Sequence, residues 1–285
     1  MVKSLFGGGL VVVLSVLAVS LPGASALAET KKPAAGAMVG KAKLDAKEIN
    51  DALKSSEGAR IESALASVRV AGKDGGGRAF VGAIVTRLKS GLPRELVKKG
   101  LDTLGDLEDA GGAEAGEMYL EHRDSEVRVA AVRCLGGSKG AQATKALRAA
   151  LADPDPKVHS LAATVLGGTR SPDAVPELIV ALDKGVNEAA VSIGQLCDGK
   201  TTCDALLDRM KSKPFDVISS GLAQELARKD VGDDAKKKVI TQVRELASAK
   251  AREFLVEVKA AWPKDGSKAV LDTLEKAIKD LEGAK

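Results

Sequence analysis

The sequence predicts an all-α chain folded as an αα-superhelix, a solenoid of about seven helix pairs. Three observations predict it. From Leu44 onward, apolar residues recur every three or four positions in short segments closed by Gly, Pro or Asp, as amphipathic helices require. No stretch shows the sustained period-two alternation of a half-buried strand. Finally, a segment repeats: Val127 to Gly137 reads VRVAAVRCLGG and Val158 to Gly168 reads VHSLAATVLGG, at an offset of 31 residues.

The same offset upstream sets Leu96, Gly100, Leu104 and Gly105 on Val127, Ala131, Leu135 and Gly136. A companion helix keeps step, since Leu120, Leu151 and Leu182 share the offset, as do Ala143 with Ala174 and Leu147 with Leu178. Each unit therefore holds two helices. The first-helix Leu position continues as Val68, Leu104, Leu135, Leu166, Ile193, Leu226 and Val258, with drifting spacing in the outer copies. Four residues earlier the middle copies carry Gly100, Ala131, Ala162 and Ala189, small enough for neighbouring helices to approach closely. One helix pair cannot bury both of its faces, so each unit must lean on the next and the array grows as a solenoid.

Local signals agree with the period. Asp124 and Asp155 stand three residues before Val127 and Val158, where a carboxylate caps orphan backbone N–H groups and meets the positive end of the helix dipole. Pro156 suits a first helical position. Gly136 and Gly167 read as left-handed caps closing the same helices.

Asp124, Val127, Arg128, Ala130, Ala131, Leu135 and Gly136 resemble the D-x-x-V-R-x-A-A-x-x-x-L-G first helix of HEAT-like repeats, including those of the phycobilisome-lyase type. Asp155, Val158, Ala162, Leu166 and Gly167 fit the same pattern, with His159 in place of the Arg. Residues 44–285 are then one repeat domain, with 44–56 as an N-terminal cap helix and helix pairs from residue 57 onward. The resemblance brings one enzymatic alternative, a bilin lyase-like activity on tetrapyrrole-bearing proteins.

Ahead of the repeats, Lys3 precedes an apolar run from Leu10 to Leu21, followed by Pro22 and by small residues including Ala26 and Ala28. This is the layout of a secretory signal peptide, residues 1–28, with cleavage expected after Ala28. Gly7 to Gly9, Ser15, Ser20 and Pro22 break up the run, which argues against a retained bilayer span. Residues 29–43, rich in Lys, Ala, Gly and Pro, read as a flexible linker. The expected compartment is periplasmic or extracellular.

Export bears on the three cysteines, because disulfides persist outside the cytosol. Cys197 and Cys203 are close in sequence, and a local bridge stapling a helix-helix corner is their simplest pairing. A metal site is the rival reading, but metal pairs usually have two to four residues between ligands and no histidine lies near these two. Cys134, among Ala130, Ala131, Val132 and Leu135, reads as a small buried hydrophobe.

Composition excludes several function classes. Hydrophobic residues make up 45% of the chain but aromatics only 2%, so Ala, Leu, Val and Ile must fill the interior, as in closely packed helices. Platforms for stacking bases are nearly absent, and a net charge of +4 implies no acidic polymer as ligand, so nucleic acid is not an expected partner. His122 and His159 are the only histidines, and no nucleophile motif accompanies them, so no catalytic residue, cofactor or metal is assigned. Gly75 to Gly77 lack the Gly-Lys-Ser or Gly-Lys-Thr of a phosphate loop. Lys236 to Lys238 follow Asp233 and Asp234 in the order of a helix start and read as a solvated face, and Phe254, Leu255, Val258 and Trp262 read as a core stripe.

What remains is binding. Solenoids of this kind present a concave surface made by the second helix of each pair, where side chains vary without disturbing the stack. The expected function is a non-catalytic protein-binding scaffold using Glu114, Glu117, Lys145, Arg148 and Glu177. A structural spacer of the cell envelope is the other alternative.

Overall fold

The computed structural model describes residues 44–198 and 203–283, which together are helical with no strand. The expected signal peptide and linker, residues 1–43, lie outside the described residues. No helix among the described residues is long and apolar enough to cross a membrane.

A first helix, α1 (Ala46–Lys54), is capped by the Asp45 carboxylate, which accepts from the Lys47 and Glu48 amides. Helix pairs follow: α2 (Gly58–Ala71) with α3 (Val81–Lys89), α4 (Arg94–Leu107) with α5 (Ala113–Tyr119), and α6 (Ser125–Ser138) with α7 (Gly140–Ala150). Then come α8 (Pro156–Gly167) with α9 (Val175–Asp183), α10 (Glu188–Leu196) with the short α11 (Asp204–Leu207), α12 (Phe215–Ala227) with α13 (Asp233–Glu245), and α14 (Ala249–Ala260) with α15 (Lys268–Asp280).

The repeated positions are the core. Val127, Val158, Leu135, Leu166, Ile193, Leu147, Leu178 and Leu182 are all fully buried. Asp124 and Asp155 cap α6 and α8 as expected, each accepting from the amide two residues on at 2.9 Å. In the last unit the register departs from the sequence reading, because Leu255 is buried and Val258 only half-buried.

The glycines differ from their sequence reading. Gly136 and Gly137 lie inside α6 and Gly167 is the last residue of α8; neither helix has a glycine in the left-handed region at its cap. The left-handed residues come later, at Lys139 (φ 57°) and Arg170 (φ 56°). What the helical glycines permit is approach. A Cβ on Gly137 would overlap the Gly105 carbonyl of α4, and one on Gly136 would stand 2.7 Å from Val165 of α8. Gly167 makes room for Ser192 of α10, and Gly194 and the α12 residue Gly221 press on each other's helix backbone. From α4 to α12, every first helix thus meets the next through a glycine. The column of small residues at Gly100 and Ala131 faces the preceding second helix instead: a Cβ on Gly100 would lie 2.9 Å from Leu88 of α3, and Gly116 of α5 sits over the Ala131 carbonyl.

Side chains tie the seams. The buried Ser192 hydroxyl donates to the Ala163 carbonyl at 2.6 Å. Arg128 clasps Asp153 of the next unit with two hydrogen bonds of 2.7 and 2.9 Å, and both side chains are nearly buried. Ion pairs cross units at one-repeat separations, Arg133 to Asp102 and Lys139 to Glu108 each spanning 31 residues at 2.9 Å. Lys139 and then Lys73 hold the Glu108 carboxyl down at about 2. α14 has no glycine on its first-helix side, and there α13 and α15 carry the contact while α12 and α14 meet little.

Gly137→Ala is expected to lower stability by about 2 kcal/mol through overpacking, although Ala is the better helix former. Gly82→Ala, at a helical position with open space around its Cα, is expected to raise stability by about 0.5–1 kcal/mol. Urea unfolding of both variants checks this; equal shifts would refute the seam.

Candidate partner-binding face and the cysteine corner

The five charged residues expected at a partner interface lie on the second helices α5, α7 and α9. Four of them are engaged across units. Glu114 pairs with Lys89 of α3, the Gln142 amide donates to Glu117 at 2.8 Å, and Arg148 pairs with Glu177. Lys145 is exposed and lines a cleft of about 330 Å³ between α5 and α7, shared with Glu117, Leu120, Glu121, Ala149 and Asp153. The structure therefore brings Glu117 and Lys145 into one cleft and Arg148 and Glu177 into one pair, with Glu114 beyond them on α5.

Sequence reasoning missed an apolar column on this face. Met118 on α5 (43% exposed), Ala149 on α7 and Val180 on α9 (51% exposed) occupy one position of three successive second helices, 31 residues apart. Two large apolar side chains, Met118 and Val180, are thus exposed at this repeated position with the small Ala149 between them. The signal was present in the same arithmetic that gave the core.

Both histidines have a ring nitrogen on the backbone. The Asp124 amide donates to His122 Nδ1 at 3.0 Å, and His159 Nδ1 lies 2.9 Å from the Asp153 carbonyl. His159 and Arg128 thus secure the same loop from adjacent units. Cys134 is buried, and burial pushes its thiol up to about 12. Toward the end of the chain the gap between α12 and α14 is a cleft of about 300 Å³ lined by Phe254, Val258 and Trp262, so the expected core stripe is half wall and half core. Of the lysine run, Lys236 is buried over the Trp262 ring, 5.4 Å from its centre, and Lys238 pairs with Asp204 at 2.7 Å.

Cys197 caps the end of α10 and Cys203 precedes α11, with Cα atoms 5.0 Å apart and sulfurs within disulfide distance. Arg228 fastens this corner to α12 by donating to the Cys197 carbonyl at 2.6 Å and the Gly194 carbonyl at 3.2 Å. Beside it stands Glu225, 1% exposed, with a carboxylate oxygen within 4.8 Å of both sulfurs. Its Oε2 has no hydrogen-bond partner among the described residues. Burial, followed by the nearby Asp204, pushes this carboxyl up to about 7, against the opposing pull of Arg228. Nothing in the sequence marks Glu225, because its neighbour Leu226 was the core position and a charged residue one step away reads as surface.

Residues 113–190 match the family model described as HEAT repeats. No curated protein matches the chain. In structure it is similar to the complex of CpcE and CpcF of phycocyanin lyase from Nostoc sp. PCC7120, with 18% identity, 89% of this chain and 99% of that one covered, and a TM-score of 0.46. It is also similar to a designed armadillo repeat protein in complex with the peptide (KR)4, with 13% identity, 84% and 100% coverage, and a TM-score of 0.42. Residues 113–190 thus carry HEAT repeats, within a chain whose described residues form a stack of helix pairs.

The Glu225 carboxyl gives stability a pH dependence of definite sign. It stays protonated to about 7 in the folded chain and ionises in the ordinary carboxylate range when unfolded, so unfolding releases a proton between these values. Stability therefore falls as pH rises through that window, by an amount on the order of 3 kcal/mol, and stays lowered above it. Glu225→Gln is expected to flatten this fall, read as melting temperatures at pH 5, 6, 7 and 8; an unchanged slope would assign the fall to other groups.

Proposed function

We propose that this chain is an exported, non-catalytic scaffold that binds a protein partner along the second-helix face of its solenoid. The observation that carries the reading is the Met118, Ala149 and Val180 column, apolar and exposed at a position where the stack has no need of it. The column offers one apolar rung on each of three successive second helices. Glu117, Lys145, Arg148 and Glu177 rim the column with both charge signs, the composition of a polar border around an apolar centre. A cysteine pair at disulfide distance supports an oxidising compartment, in keeping with the expected signal peptide.

Charge reversal at Arg148 or Glu177 would also break a bond between units, so the informative variants lie elsewhere on the face. Met118→Asp with Val180→Asp, and separately Lys145→Glu, are expected to reduce recovery of the envelope partner about tenfold in affinity capture, at unchanged helix content, the effect of losing some 1.4 kcal/mol. Recovery of the same partners at wild-type levels by both variants would refute the proposed face.

A further inference from the structure

Glu225 poses a physical problem that the fold does not solve. A carboxyl side chain inside a helical core is costly unless its oxygens are partnered, and Oε2 has no hydrogen-bond partner among the described residues. The oxygen within reach of Cys197 Sγ and Cys203 Sγ completes a set of three buried donor atoms, all within 4.8 Å of one another. Four-coordinate zinc holds thiolate sulfur at about 2.3 Å and carboxylate oxygen at about 2.0 Å, which puts neighbouring ligand atoms roughly 3.5 Å apart. With the sulfur-sulfur bond opened, the three donor atoms start within 4.8 Å of one another and the side chains close around the ion to reach that spacing.

We propose that the reduced cysteine corner is a three-ligand site for a thiophilic divalent cation, held by the Cys197 and Cys203 thiolates and the Glu225 carboxylate. Two thiolates and one carboxylate around a divalent ion leave one net negative charge. Arg228 stands beside it, with Nη1 3.6 Å from Cys197 Sγ and donating to the Cys197 and Gly194 carbonyls, while its Nε and Nη2 pair with Asp230. Soft sulfur ligands select zinc-like ions over calcium or magnesium. The fourth position falls to water or another small donor, as in sites with three protein ligands. Bridged and metal-bound forms exclude one another, so the corner is metal-binding only where its thiols are reduced.

The chemistry balances with a trialkylphosphine as reductant. Phosphorus takes an oxygen from water and becomes the phosphine oxide, the sulfur-sulfur bond breaks, and the two protons of that water leave two thiols. On binding, the divalent ion displaces both thiol protons to solvent, together with the carboxyl proton wherever Glu225 carries one, with no change of oxidation state. Bridging the corner again requires an oxidant that accepts two electrons, such as a disulfide exchange partner, and releases the ion.

Cobalt(II) is the probe, because its thiolate complexes absorb through sulfur-to-metal charge transfer. The full chain, reduced with phosphine, is expected to take up one cobalt ion with that absorption and with the visible bands of four-coordinate cobalt. The oxidised chain should show neither. Cys197→Ser and Cys203→Ser should each abolish the charge-transfer signal. Glu225→Gln keeps both thiols and nearly the same shape, and should weaken binding at least tenfold. Cys134→Ser should leave the titration unchanged, and circular dichroism on every sample reports folding independently. The proposal is overturned if the reduced wild-type chain shows no such absorption, if Glu225→Gln binds as tightly, or if Cys134→Ser removes the signal.

Discussion

Close approach between successive first helices is the constraint on which the structure depends. Helix backbones normally stand apart by the length of their side chains, and a glycine at the crossing removes that spacer. A helix with glycine inside it is weaker by roughly 0.5–1 kcal/mol at each such position than one with alanine. Gly105, Gly137, Gly194 and Gly221 nevertheless sit within helices, each where a Cβ would crowd the facing backbone or lie at the limit of contact with it. Their loss of helix propensity is offset by burial of Leu104, Leu135, Leu166 and Ile193 beside the seam. Where the glycines stop, at α14, the first helices part and the second helices α13 and α15 take up the contact. The aromatic-lined cleft at Trp262 is the space left by that change.

The stack in turn assigns work to the surface charges. Because units follow one another at about one period, an acid in one copy finds a base in the next, and Arg133 with Asp102, Lys139 with Glu108 and Arg148 with Glu177 are all made this way. Exposed pairs contribute little to stability individually. Over the whole chain 43 basic residues stand against 39 acidic ones, a net charge of +4. The Arg128 to Asp153 bond differs in being nearly buried and bidentate, and it fixes the loop that His159 also holds. Against this background of paired charge, Met118, Ala149 and Val180 on α5, α7 and α9 share one exposed position of the repeat.

Much of the fold was legible because it rests on period and volume. Asp124 and Asp155 announced helix starts, and Val127, Leu135 and their copies announced the core. The role of the glycines was not legible. A glycine just after a core leucine looks the same whether it caps a helix or admits a neighbour, and only the neighbour's position decides. The last unit slipped from Val258 to Leu255 because its seam no longer uses the glycine that marked the earlier copies. Of the candidate face, the charged residues were placed on the right helices, yet their pairing across units depends on side-chain reach that spacing alone does not show. Glu225 escaped because a buried carboxyl goes against the composition of every other core position, and only three-dimensional proximity to Cys197 and Cys203 reveals it.

If glycine seams carry the stack, stability must follow them along the chain. Native-state hydrogen exchange, read amide by amide, tests this most directly, because local openings in a repeat array report the strength of each neighbour contact. The account predicts slowest exchange in α4, α6, α10 and α12 and distinctly faster exchange in α14. Protection in α14 equal to that in α6 would contradict it.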